Sequence, residues 1–237
     1  MLSDCDRDPA QAIPAGYLRG LDLGGRGLAA LARLHRETRD IGPELSRQTI
    51  ALTEGDTTSR RFLPGFAQPG AVRLFDHIWP ELAEAFVGLG SQGIDVIVDA
   101  GRLGRDGLPV ALLEIADAIG FVLQSSLKSL AASRLYLPLL AEQVSTLPAD
   151  RPLGLMLVGP DRPYSVREIT AQFGIGCWAR IPWDPKPAGV LSHGLTPPRR
   201  FNNSPLLGSY RVAALHLTQR LERARALRRE LLQGGAP

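Results

Sequence analysis

Lysine is almost missing from this sequence: Lys128 and Lys186 are its only lysines among 27 basic residues, the remainder being arginine. The bias fits a GC-rich coding sequence, and it leaves just two positions for a site that needs an ammonium against a phosphate. Cysteine is equally scarce. Cys5 and Cys177 are too few for a disulfide framework and show no metal-like pairing, so they read as one loop and one core cysteine in a reducing, cytoplasmic setting. No run approaches 18 consecutive apolar residues, which argues against a membrane span, and the N-terminus lacks the basic start and apolar core of a secretory signal. Charge of one sign is lacking too: 27 basic residues face 24 acidic ones, which excludes a disordered acidic or basic tail. The arginines are scattered except around Arg199-Arg200 and near the C-terminus, so only weak contact with nucleic acid or acidic lipid follows from a pI near 9.2. His35, His77, His193 and His216 show no ligand spacing, and no nucleophile motif supports Ser-His-Asp catalysis.

What remains is a chain of 237 residues, 44% hydrophobic, that fits a single domain over 1–237. Short apolar runs bounded by Gly, Pro or Asp predict buried strands at Ile94 to Val98, Ala118 to Leu123, Leu153 to Val158 and Cys177 to Ile181. They are continuous rather than alternating, as in a parallel sheet covered on both faces. Helical patterns lie at about 70–89, 108–116, 126–144, 164–173 and 204–233, with a shorter one at Arg26 to Arg36. Ser126 and the pair Ser165 and Glu168 mark helix starts, the latter as a capping box. A strand is expected at Arg60 to Leu63, and 50–58 and 192–204 read as irregular. Alternating strand and helix predict an α/β, mostly parallel, doubly wound sheet. The helix at 204–233 is basic and amphipathic, with Leu207, Tyr210, Ala214, Leu217, Leu221, Ala224 and Leu231 in one stripe and six arginines from Arg211 to Arg229 around it. Packing on its own sheet or lying on an acidic membrane both suit that pattern.

Three segments could carry chemistry. Asp95 to Arg102 is an apolar strand ending in Asp99 and then a Gly101 turn, which places a carboxylate at the carboxyl end of a sheet strand, where Mg²⁺ is held in nucleotide sites. Asp4-Cys5-Asp6 offers two carboxylates at i and i+2, although almost no residues precede them to build a strand. Ala179 to Pro185 runs from a strand into a proline-stiffened loop, and a short helical stretch follows to Gly194.

In this order the segments resemble the ParA/MinD-type partitioning ATPases, the deviant Walker A branch of P-loop NTPases, and most closely its divergent actinobacterial members. The resemblance implies the P-loop NTPase fold, ATP and Mg²⁺ as cofactors, a homodimer or partner protein, and a role in positioning a chromosome, division site, or pilus or secretion assembly. Contact with non-specific DNA or a membrane surface is a further implication. It makes Asp4 a metal-side residue, Asp6 the catalytic residue that positions the attacking water, and Asp99 the Walker B aspartate on the metal. It places the adenine cradle at Leu155 to Arg162 and at Pro182, Trp183 and Asp184, with Arg162 among the cofactor-binding residues.

The departures are as informative. The family's Lys-Gly-Gly-x-Gly-Lys-Thr loop is not in this sequence, and Gly24-Gly25-Arg26-Gly27 has no lysine and follows no strand. The switch II turn reads Asp-Ala-Gly-Arg without the usual proline, and Gly159 to Arg162 lacks the asparagine typical of adenine contacts. The chain is thus expected to resemble a member missing its first strand, phosphate loop and first helix, leaving the strand at 94–99 with an unpaired edge and an exposed apolar face. Loss of ATP binding and hydrolysis follows as an expectation. The alternative is a non-enzymatic pseudo-ATPase that uses the retained fold to bind a partner.

Overall fold

Parallel strand pairing organises the chain. A computed structural model describes residues 1–9, 12–53, 60–104 and 107–234, with backbone alone for 227–234. The chain divides into two compact units, one of Met1–Ile115 with Gly189–Leu195, the other of Ala116–Ala188 with Thr196–Pro237.

In the first unit the elements run β1 Leu2–Asp4, α1 Leu28–Thr38, α2 Gly42–Leu45, β2 Ile50–Ala51, β3 Arg61–Leu63, α3 Val72–Phe75, α4 Trp79–Ser91, β4 Ile97–Asp99 and α5 Val110–Ile115. The sheet order is β2-β3-β1-β4, with β1 parallel to β3 and β4, and β2 antiparallel to β3. Although only three residues long, β1 lies in the interior of this sheet, and the Met1 ammonium donates to the Asp95 carbonyl. Leu28, Leu31, Phe66, Phe75, Ile78, Trp79, Leu82 and Phe86 form one core cluster. Phe75 and Trp79 meet edge to face with ring centroids 4.8 Å apart, a contact worth about 0.5–1.5 kcal/mol beyond area burial. The segment Gly189–Leu195 packs so closely on Gly16 that a Cβ there would lie 2.6 Å from the Ser192 carbonyl oxygen.

In the second unit β5 Ile119–Gln124, α6 Leu127–Ser145, β6 Leu153–Val158, α7 Val166–Phe173 and β7 Cys177–Ile181 are followed by α8 Pro185–His193, whose last turns belong to the first unit, and by α9 Pro205–Gly234. Strands β5, β6 and β7 pair in that order, all parallel. Leu123, Leu137, Leu140, Leu155, Leu157, Ile169 and Leu206 are buried. The Ser126 side chain accepts from the Ser129 N–H at the start of α6, and Ser165 and Glu168 form the expected capping box on α7. Against β7, Arg220 of α9 sits 5.1 Å from the Trp178 ring centroid. Among the described residues no helix is long and apolar enough to cross a membrane.

Several expectations are corrected. The helix over 70–89 is two, α3 and α4, because Pro80 suits the first turn of a new helix and cannot donate within an old one. The helix over 108–116 shortens to Val110–Ile115. Residues 50–51 are strand rather than irregular, Ile50 pairing with Phe62; positions 54–58 lie outside the described residues. The strands at 94–98 and 118–123 shift to 97–99 and 119–124, and neither is covered on both faces. Ile97 is 67% exposed and Val122 60%, and β4 and β5 each pair on one side among the described residues. Cys5 is fully buried, whereas Cys177 is part-exposed. Lys128 lies within a helix, in the exposed first turn of α6. The side chains of Arg228, Arg229 and Leu231 lie outside the described residues.

Candidate functional site

In the first unit β1 and β4 run parallel in register, Leu2 opposite Ile97, Ser3 opposite Val98 and Asp4 opposite Asp99. Both strands therefore end in aspartate at one level, about 4.8 Å apart across the sheet. The Cys5 N–H donates to the Asp99 carbonyl at 2.7 Å, which continues the pairing past the last strand residue. Asp6 follows on the turn, and Asp4 and Asp6 are each only 8% exposed. One oxygen of each carboxylate accepts from the backbone two residues on: Asp4 from the Asp6 N–H at 3.1 Å, Asp6 from the Asp8 N–H at 2.8 Å, and Asp99 from the Gly101 N–H at 3.0 Å.

Two glycines make room for this cluster. A Cβ on Gly65 would lie 2.7 Å from the Asp4 carboxyl carbon, and one on Gly101 would lie 2.0 Å from an Asp6 carboxylate oxygen. Gly101 also has φ +73°, a left-handed conformation that glycine adopts without strain. Burial lifts the Asp4 carboxyl to about 6; the charges of Asp99 and Asp6 add to the rise and the Asp6 N–H opposes it. Asp6 shifts upward for the same first reason, with Asp99 and Asp8 adding, against the pull of the Asp8 N–H and the Arg102 guanidinium. Between them the Cys5 thiol is pushed up to about 12, chiefly by burial, so it is inert as a nucleophile.

The second unit carries a cleft of about 240 Å³ at the carboxyl ends of its three parallel strands, lined by Gln124, Ser125, Ser126, Val158, Gly159, Arg162 and Trp183. Crevices at this end of an α/β sheet are where such folds take ligands. The Ser125 N–H donates to the Val158 carbonyl and the Gly159 N–H to the Ile181 carbonyl, which stitches the three strand ends into one floor. Trp183 is half exposed, and Arg162 is exposed at the rim. Of the four expected cradle residues, Arg162 and Trp183 line this cleft and Pro182 and Asp184 do not; the Asp184 carbonyl instead accepts from the Ala188 N–H at the start of α8. Gln124, Ser125 and Ser126 were not anticipated. Their signal was a polar triplet where an apolar strand meets a capped helix.

Among the described residues no group of three or more His, Cys, Asp and Glu side chains is arranged to hold a metal ion. Mg²⁺ does not need such a cage, since it takes one or two carboxylates and completes its shell with water and phosphate oxygens. Asp4 and Asp99, hard oxygen donors side by side and mutually repelling, fit that demand.

The fold matches solved structures. A ParA family ATPase from Chlorobium tepidum TLS matches with a TM-score of 0.65 at 17% identity, over 91% of this chain and 84% of that one. The chain has the fold of the ParA and MinD ATPases. The cell division ATPase MinD of Pyrococcus furiosus gives 0.61 at 19% identity, covering 92% and 85%. A plasmid partition protein of Borrelia burgdorferi B31, bound to AMPPNP, gives 0.55 at 13% identity, covering 92% and 86%. No family model and no curated protein sequence matches the chain. In the ParA/MinD fold found here, the acidic cluster belongs to the first unit and the cleft to the second.

Proposed function

We propose that this chain is a ParA/MinD-like protein for intracellular positioning or partitioning, acting in the cytoplasm through self-association or a partner protein. The observation that carries the reading is the register of Asp4 against Asp99 at the ends of adjacent parallel strands, in the fold of partition and division ATPases. Asp4 and Asp99 would hold Mg²⁺, which supplies neutralisation of phosphate charge when bound. Asp6, whose carboxylate accepts from the Asp8 N–H, would orient the attacking water. In the cleft, the Trp183 ring offers a stacking face for a flat base, with Gln124, Ser125 and Arg162 as polar partners at its edge.

Chemistry on a nucleotide is a separate matter. The sequence has no Gly-rich loop with lysine, and both lysines are exposed on helices, Lys128 in α6 and Lys186 in α8. That placement favours a second reading, in which this polypeptide is a pseudo-ATPase that keeps the fold for partner binding. We expect it to bind Mg-ATP with a Kd weaker than about 100 µM, that is, with less than about 5.5 kcal/mol, and to hydrolyse it negligibly. Isothermal titration of the purified 237-residue chain measures this; tight Mg-ATP binding with turnover would overturn the pseudo-ATPase reading. A fluorescent fusion in living cells tests positioning. Foci or a polar pattern are expected, and a uniform distribution at every stage of the cell cycle would refute the role.

A further inference from the structure

The buried face of α6, with Ser133, Leu137, Leu140 and Val144, packs within the second unit. The opposite face is apolar where solvent-facing helices are normally polar. Ala131, Ala132, Leu135 and Leu139 are all exposed, Leu135 at 68% and Leu139 at 54%. At 100° per residue these positions fall in one stripe, with Lys128 at its N-terminal end and Glu142 at its C-terminal end, both exposed. The two charges are placed against their own helix: a cation in the first turn and an anion in the last turn each oppose the macrodipole.

A two-fold axis through Leu135 resolves both features together. In an antiparallel pairing of two such helices about that axis, position 135 meets 135, Ala131 meets Leu139, and Lys128 meets Glu142. Small residues then face large ones, so the axes can approach closely. Each Lys128 also finds both the partner's carboxylate and the negative end of the partner's helix. We propose that α6 is a self-association surface, pairing antiparallel with α6 of a second copy of this chain about Leu135. The symmetry is isologous, as a closed dimer requires. The stripe spans about 21 Å of helix, a small contact, so the dimer dissociates on dilution. It needs no nucleotide and does not rest on the proposed positioning role.

Sedimentation equilibrium of the full chain without nucleotide tests this, with dimer expected to predominate at about 100 µM and monomer at about 1 µM. Lys128→Glu and Glu142→Lys should each weaken association at least tenfold, because each sets like charges opposite one another. The double variant should restore it. Each single change improves the match to its own helix dipole, so folding is retained, and circular dichroism verifies this. A chain that stays monomeric at 100 µM, a dimer indifferent to both single reversals, or a double variant that fails to recover would each overturn the proposal.

Discussion

Replacing Asp4 by Asn gives a direct measure of the strain in the acidic cluster. The carboxyl rises from its ordinary 3.8 to about 6 because it is buried beside Asp99 and Asp6. At about 1.36 kcal/mol per pKa unit this is about 3 kcal/mol, and about 2 after discounting solvent screening. The native state holds the Asp4 proton more tightly than the unfolded chain, so the cost is absent below pH 3.8, grows as the pH rises towards about 6, and is complete above it. Asparagine carries no charge and keeps an oxygen to accept from the Asp6 N–H. Asp4→Asn should therefore be more stable than the parent by about 2 kcal/mol at pH 7.5, a shift of about 1 M in the urea midpoint. The gain should fall to about a third of that at pH 4.5. Unfolding is best followed by Trp79 fluorescence in a Trp178→Phe, Trp183→Phe background, so that the first unit alone reports. A variant less stable than the parent at pH 7.5, or a gain equal at the two pH values, refutes the account.

Other outcomes follow from the same geometry. Millimolar Mg²⁺ at pH 7.5 should raise the urea midpoint of the parent and leave Asp4→Asn unmoved; equal effects on both would place the ion elsewhere. Gly101→Ala forces a Cβ against Asp6 at a left-handed φ and should cost about 2–4 kcal/mol, read from urea midpoints. Leu82→Ala, at a fully buried position in α4, should cost about 2–5 kcal/mol in the same assay. Removing the α7 cap with Ser165→Ala should cost about 1 kcal/mol, seen as a melting shift of about 2–4 °C.

Much of the α/β plan was legible because its punctuation is local. Ser126 and Ser165 announce helix starts through hydroxyls that accept from backbone N–H groups three residues on, and β6 and β7 stand at the predicted residues. Less legible was whatever depends on partners distant in the chain. Strand β2 is two residues long and exists because Ile50 meets Phe62, which no period within 50–58 reveals. The exposure of Ile97 and Val122 is likewise a matter of what packs over those strands, not of the apolar runs themselves. In the acidic cluster the residue types and strand ends were readable, and the register of Asp4 with Asp99 supplied the geometry. In the cleft, Arg162 and Trp183 were anticipated, but Gln124 and Ser125 join them only through pairing across β5, β6 and β7.

The excursion of Gly189–Leu195 into the first unit has a practical corollary for dissecting the protein. A gene cut after Ile115 would seem to separate the units, yet the N-terminal fragment would forfeit the strap that seats on Gly16 and leave that surface open. The fragments are entangled by sequence order, so neither can be expressed as an uninterrupted stretch. Limited proteolysis at residue 115 should accordingly give two pieces that co-purify until denatured, and any fusion or circular permutation has to carry the strap along with the first unit.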